Sequence, residues 1–259
     1  MRIRQSICYP LFLPEDMSLA SLCEAASQIG YAAIELWHRE DHLDEVVKLA
    51  RQHDLAVASM SGHYSLEEGL NDPQQHDRIH DEIVASIDLA ARHGIPGLIC
   101  FSGNRRHGQS DYEGMVACAR GLRRVAGYAQ KKRVNLNVEV LNSKVDHPGY
   151  LADRTDWGIA LCEMVNSPRV KLLYDIYHMQ IMEGDVIRSI RKVIGHIGHF
   201  HTAGNPGRHE LDDNQELNYT GICRAIADTG YDLYVGHEFS SRGDPVDSLR
   251  ATFAVCDQG

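Results

Sequence analysis

Short runs of β-branched and apolar residues recur along this chain, with longer stretches of helical apolar spacing between them. The short runs at 3–8, 32–36, 55–60, 97–101, 134–139, 170–175, 196–201 and 234–238 read as strands. Amphipathic patterns at 17–29, 41–53, 74–93, 111–131, 154–165, 184–193, 219–229 and 245–256 read as helices. Gly30, His93-Gly94 and Thr229-Gly230 are helix stops, and Asp72-Pro73 is an N-cap followed by a first-turn proline. Eight strand–helix units without a low-complexity segment predict an α/β fold, a closed (β/α)8 TIM barrel that forms a single domain over residues 1–259. An open doubly wound sheet is the runner-up. No Gly-x-Gly-x-x-Gly follows the first strand to support dinucleotide binding.

Side chains alternate faces along a strand. In the fifth strand Leu136, Val138 and Val140 share one face, and Asn135, Asn137 and Glu139 share the other. In the sixth, Val170, Leu172 and Tyr174 oppose Lys171, Leu173 and Asp175. Phe200 opposes His199 and His201 in the seventh, and Val235 and Phe239 oppose Gly236 and Glu238 in the eighth. If the apolar sets face the helices, Glu139, Asp175, His201 and Glu238 face the lumen. They close four consecutive strands, at separations of 36 (139 to 175), 26 (175 to 201) and 37 (201 to 238), each long enough for one helix and two loops. Burying so many polar groups is costly unless they bind something. Three carboxylates and an imidazole at one rim make a natural cage for a divalent cation, at the end of a barrel where active sites lie. Taken singly, each carboxylate reads equally well as a helix N-cap or an ion-pair partner, and His201 as a core histidine.

Composition narrows the possibilities. The formal net charge is −10, from 36 acidic and 26 basic residues, which argues against a general attraction to nucleic acid or anionic lipid. The seven cysteines lack paired spacing and contain no Cys-x-x-Cys, so they read as reduced, mostly buried thiols of a cytoplasmic protein. Residues 1–6 carry no signal-peptide pattern, and no apolar run approaches membrane-span length.

The cage residues lie in motifs that resemble the xylose-isomerase-like TIM-barrel superfamily, and within it the hydroxypyruvate isomerases. Gly207-Arg208-His209-Glu210-Leu211-Asp212-Asp213, continuing to Glu216-Leu217-Asn218-Tyr219, is similar to that group's Arg-His-Glu-Pro…Glu-Ile-Asn-Tyr segment. Val-Glu-Val-Leu-Asn at Glu139, Asp175 with His178 in Asp-Ile-Tyr-His-Met-Gln, and Gly-His-Glu-Phe at Glu238 match further segments. The resemblance implies that Glu139 and Glu238 bind metal and act as acid/base residues, with Asp175 and the position of His201 as further ligands. This chain departs from typical hydroxypyruvate isomerases at two places. It has His201, as ketose 3-epimerases do, where they resemble Gln. It has Phe239-Ser240-Ser241 where they carry a lysine-containing segment after the last glutamate.

Hard oxygens with one imidazole suit Mn²⁺ or Mg²⁺, with Co²⁺ or Zn²⁺ as alternatives. Such an ion would chelate a small α-hydroxy carbonyl compound, a sugar or a keto acid, and stabilise an enediolate. Glu139 and Glu238 are the candidate proton-transfer pair. His178, expected in the loop above the sixth strand, is a candidate for bonding a substrate oxygen. Arg208 is a candidate partner of a substrate carboxylate or hydroxyl, or else of Glu210 or Asp212. Trp37, His38, His63 and Tyr64 are candidate walls of a sugar-sized pocket, and residues 103–107 a candidate lid. The expected activity is a metal-dependent, hydroxypyruvate-isomerase-like isomerase. A ketose 3-epimerase or a 3-oxo-sugar lyase shares the same logic, and a nuclease or a non-catalytic sugar-binding barrel is disfavoured. An exposed barrel face suits a homodimer or higher homo-oligomer.

Overall fold

A computed structural model describes residues 2–38 and 42–258. Eight parallel strands close into one barrel in chain order: β1 (Arg4–Cys8), β2 (Ala33–Glu35), β3 (Ala56–Ser61), β4 (Gly97–Cys100), β5 (Asn135–Val140), β6 (Val170–Asp175), β7 (Ile197–Thr202) and β8 (Tyr234–His237). The open-sheet alternative is excluded, because β1 pairs with both β2 and β8. The helices are α1 (Leu19–Ile29), α2 (Leu43–Gln52), α3 (His76–His93), α4 (Asp111–Lys132), α5 (Thr155–Val165), α6 (Ile176–Met182), α7 (Val186–Val193), α8 (Tyr219–Asp228) and α9 (Pro245–Cys256). The expected start of the second helix, position 41, lies outside the described residues.

Local chemistry sets the boundaries. Ser110 and Glu113 form a reciprocal capping box at the start of α4. Gly30 and Gly94 end α1 and α3 in the left-handed conformation. Asp72 caps a 3-10 turn, Pro73–Gln75, that leads into α3, so the α-helix begins two residues later than its pattern suggests. One helix was not anticipated. β6 runs without a loop into α6, and the Asp175 carboxylate caps it by accepting the His178 N–H at 3.2 Å. His178 therefore lies in the first turn of a helix rather than in a loop. The run Ile176-Tyr177 favours strand as much as helix, and only the cap marks the change.

The outward strand set, including Leu136, Val138, Val140, Leu172, Tyr174, Phe200 and Val235, is buried against the helices. All seven cysteines are free and buried. Residues 103–107 are tied down: the Asn104 and Arg105 N–H groups donate to Glu67 O and Gly149 O, and the Arg105 side chain reaches Asp111, Asp153 and Tyr150 O. That anchorage removes the case for a lid there.

The lumen is polar and tightly filled, and two glycines make room for it. A Cβ on Gly198 would lie 2.1 Å from Asn137 Oδ1, and one on Gly236 would lie 2.1 Å from Glu35 Oε1 and 3.1 Å from His201 Cδ2. Gly236→Ala should therefore lower unfolding stability by about 1–3 kcal/mol, read from the midpoint of urea denaturation.

Candidate active site

The barrel places the four cage residues together. Glu139 is next to last in β5, Asp175 ends β6, His201 is next to last in β7, and Glu238 follows β8 directly. Asp175 pairs in register with His201, and His201 with Gly236. All four are buried, and one donor atom from each lies within 4.8 Å of the others. His201 Nδ1 is 3.5 Å from Glu139 Oε1 and 3.4 Å from Glu238 Oε2, and it has no hydrogen-bond partner. An unpartnered buried nitrogen facing carboxylates, within a set of hard oxygens, fits a divalent cation.

Charge in the cluster is uneven. Burial and the nearby Glu238 and Asp175 push the Glu139 carboxyl up, although His201 opposes the shift. Burial also raises Asp175, with Arg208 and His201 pulling against it. Glu238 is held well below the usual carboxylate range, because His201 and Arg208 outweigh its burial. The Arg208 guanidinium donates to Glu238 Oε2 and lies 4.0 Å from Asp175 Oδ2, and Trp37 Nε1 donates to Glu238 Oε1 at 2.8 Å. Arg208 does not pair with Glu210 or Asp212, which are bound instead by Arg242.

A cavity of about 540 Å³ opens over the cage. Glu139, Glu238, Arg208, Trp37, His38, Tyr64 and His147 line it, together with an apolar wall that includes Ile99, Phe101 and Leu141. That size and lining suit a small molecule. His63 does not reach the cavity. It is buried behind Phe101, whose N–H donates to its Nε2 at 2.9 Å, and burial drives its pKa down to about 4. A wall position after β3 was legible in the sequence, but the side chain turns inward to satisfy a backbone donor.

A model of the family described as xylose isomerase-like TIM barrel matches residues 23–258. The chain belongs to that family. It is 28% identical over 233 residues to hydroxypyruvate isomerase of Escherichia coli, covering 88% of this chain and 90% of the relative. It is 36% identical over 150 residues to a 2-oxo-tetronate isomerase of Cupriavidus necator, covering 58% and 55%. Membership and these relatives make it an isomerase-type enzyme. Among solved structures it resembles an AP endonuclease, family 2, from Brucella melitensis, with 24% identity, a TM-score of 0.83 and 98% of each chain covered. It also resembles a 3-keto-D-glucoside 4-epimerase from E. coli, with 19% identity, a TM-score of 0.82 and 98% of each chain covered. At these identities the likeness shows the fold alone.

Several residues that touch this family site were not anticipated. Glu35 and His199 lie beneath His201. The shared parity of His199 with His201 was a signal for one of them, and a carboxylate between Ile34 and Leu36 was a signal for the other. Asn142 and His147 flank His178. Asn142 Oδ1 accepts the Val145 and Asp146 N–H groups at 3.0 and 2.9 Å, so its amide nitrogen must face His178 Nδ1, 2.6 Å away. That nitrogen can only accept, which leaves the ring hydrogen on Nε2. Burial and Arg208 hold the ring neutral. His178 Nε2 has no hydrogen-bond partner and lies 3.5 Å from Asp175 Oδ2. Asn142→Asp replaces the donor by an acceptor. The His178 hydrogen should then move to Nδ1, visible in ¹⁵N chemical shifts of the ring.

Proposed function

We propose that this chain is a divalent-metal-dependent isomerase of small α-hydroxy carbonyl compounds, interconverting a keto acid of the hydroxypyruvate class with its aldehyde isomer. The observation that carries the reading is the buried quartet of Glu139, Asp175, His201 and Glu238 around the unpartnered His201 Nδ1, at the floor of a cavity of about 540 Å³. The curated isomerase relatives support the substrate class.

When bound, the cation, Mn²⁺ or Mg²⁺ by ligand chemistry, supplies Lewis-acid polarisation of the carbonyl and stabilises the enediolate. The chain supplies the proton transfers. Glu238 is the carboxylate kept ionised, by Arg208 and Trp37, and it takes the proton from the C–H bond. Glu139, whose pKa is pushed up by burial and the neighbouring carboxylates, delivers a proton to the neighbouring carbon, and the hydroxyl proton passes between the two substrate oxygens so that the isomer balances. In the reverse direction the roles exchange. His178, fully buried and not among the residues that line the cavity, faces Asp175 with its Nε2 and supports that carboxylate rather than reaching substrate, while Arg208 steadies negative charge and the apolar wall limits water around the reacting carbons.

A second reading, ketose 3-epimerisation, is favoured by His201 and by the absence of a lysine after Glu238, since both weaken the match to a carboxylate substrate. In that reaction the proton returns to its original carbon from the opposite face, so the same two glutamates suffice.

Glu139→Gln should cut turnover of hydroxypyruvate by about 10²–10⁴-fold while circular dichroism stays unchanged. Full activity in that variant ends the assignment of Glu139. Chelator-stripped protein should lose activity and regain it with Mn²⁺ or Mg²⁺. Deuterium uptake from heavy water into hydroxypyruvate or a free ketose, with product resolved by chromatography, separates isomerisation from C3 epimerisation. Exchange into either one rules out a purely sugar-binding barrel.

A further inference from the structure

Beneath the cage lies a second polar cluster that the reaction does not use directly. Glu35, at the end of β2, is 2% exposed and reaches into the lumen. Its Oε1 accepts the Ser6 hydroxyl. Its Oε2 lies 2.8 Å from His199 Nε2 and 3.1 Å from His201 Nε2. The β2–β3 register shifts between Ile34 and Glu35, at the residue whose side chain turns inward. Gly236 has no Cβ where Glu35 Oε1 packs.

We propose that Glu35 is a positioning residue that fixes the tautomer of His201 and aims its Nδ1 lone pair at the cation. This rests on the reading of the quartet as a metal site. An ionised carboxylate only accepts hydrogen bonds, so the ring nitrogen facing it must carry hydrogen. With hydrogen on Nε2, a neutral His201 has its lone pair on Nδ1, the atom that faces Glu139 and Glu238 without a partner. The opposite tautomer would turn an N–H toward the cation and a lone pair toward Glu35. The carboxylate also strengthens the imidazole as a donor, as outer-sphere acceptors do for metal-bound histidines. Glu35 does not line the cavity, so it acts through His201 and not on substrate. The same three residues hold no second ion in this account, because 2.8 and 3.1 Å are hydrogen-bond distances and each Nε2 spends its hydrogen on Glu35.

The test titrates the chelator-stripped full chain with Mn²⁺, Co²⁺ and Mg²⁺ by calorimetry, and records the visible spectrum of the Co²⁺ form. Glu35→Gln should weaken Mn²⁺ and Co²⁺ binding about 10–100-fold and alter the Co²⁺ bands. Mg²⁺, which prefers oxygen, should lose less. A structural defect would weaken all three ions equally. In a His201→Gln background, Glu35→Gln should add no further loss. Wild-type affinity in Glu35→Gln, an equal loss for every ion, or an undiminished loss in the His201→Gln background overturns the proposal. If Glu35→Gln does not fold, Glu35→Asp keeps the charge but withdraws it from the ring. It should weaken Co²⁺ binding in the same direction, and unchanged affinity there also overturns the proposal. Absence of cation binding by the wild type defeats both this and the metal-site reading, whereas wild-type binding that survives Glu35→Gln defeats only the positioning role.

Discussion

Three buried carboxylates within a few ångströms of one another form an arrangement that repels itself. Each carries a desolvation cost, and each raises the cost of ionising its neighbours. The fold holds them at one rim with an arginine and an imidazole placed against them. Arg208 leans on Glu238 and approaches Asp175, and His201 stands between Glu139 and Glu238. Even so the cluster is not closed, because His201 Nδ1 finds no hydrogen-bond partner and Glu139 is left with its pKa raised. A dication at that point would satisfy all four residues at once.

The barrel delivers this arrangement through register. Parallel pairing sets Asp175 beside His201 and His201 beside Gly236, so successive strands present their last inward side chains at one level. Glycines at 198 and 236 leave space for Asn137 and Glu35. The lumen is thus a polar column with the cage above and the Glu35 cluster below. Structural and functional demands meet in the same residues: Asp175 is at once the cap of α6 and a member of the cage.

Much of this was legible in the chain. Strand parity put Glu139, Asp175, His201 and Glu238 on the face opposite Val138, Tyr174, Phe200 and Val235, and the structure keeps them there. The eight strands fall within about a residue of their patterns because β-branched runs and glycine stops bound them. What the pattern did not carry depends on contacts distant in sequence. α6 begins at a side-chain cap rather than at a change in periodicity. His63 turns from the cavity because a backbone N–H on Phe101 needs an acceptor. Glu35 matters through rings 164 and 166 residues away, which no local spacing could reveal. Arg208 had two candidate sets of partners, and its choice follows from Arg242 occupying the other.

The asymmetry between the two glutamates bears on which reaction the site favours. Returning a proton to the opposite face of the carbon it left takes two groups, one ionised and one able to hold hydrogen, whereas a shift to the adjacent carbon along one face can be done by a single carboxylate. Glu238, gripped by Arg208 and the Trp37 N–H, meets the first condition, and Glu139, with no side-chain partner except the His201 ring, meets the second. That division meets the demand of C3 epimerisation for a donor and an acceptor on opposite sides of a planar enediolate, and it also permits isomerisation, which can proceed on one face. The choice between them then falls to the groups that hold the rest of the substrate. The wall above the cage is largely apolar, with Arg208 already committed to Glu238.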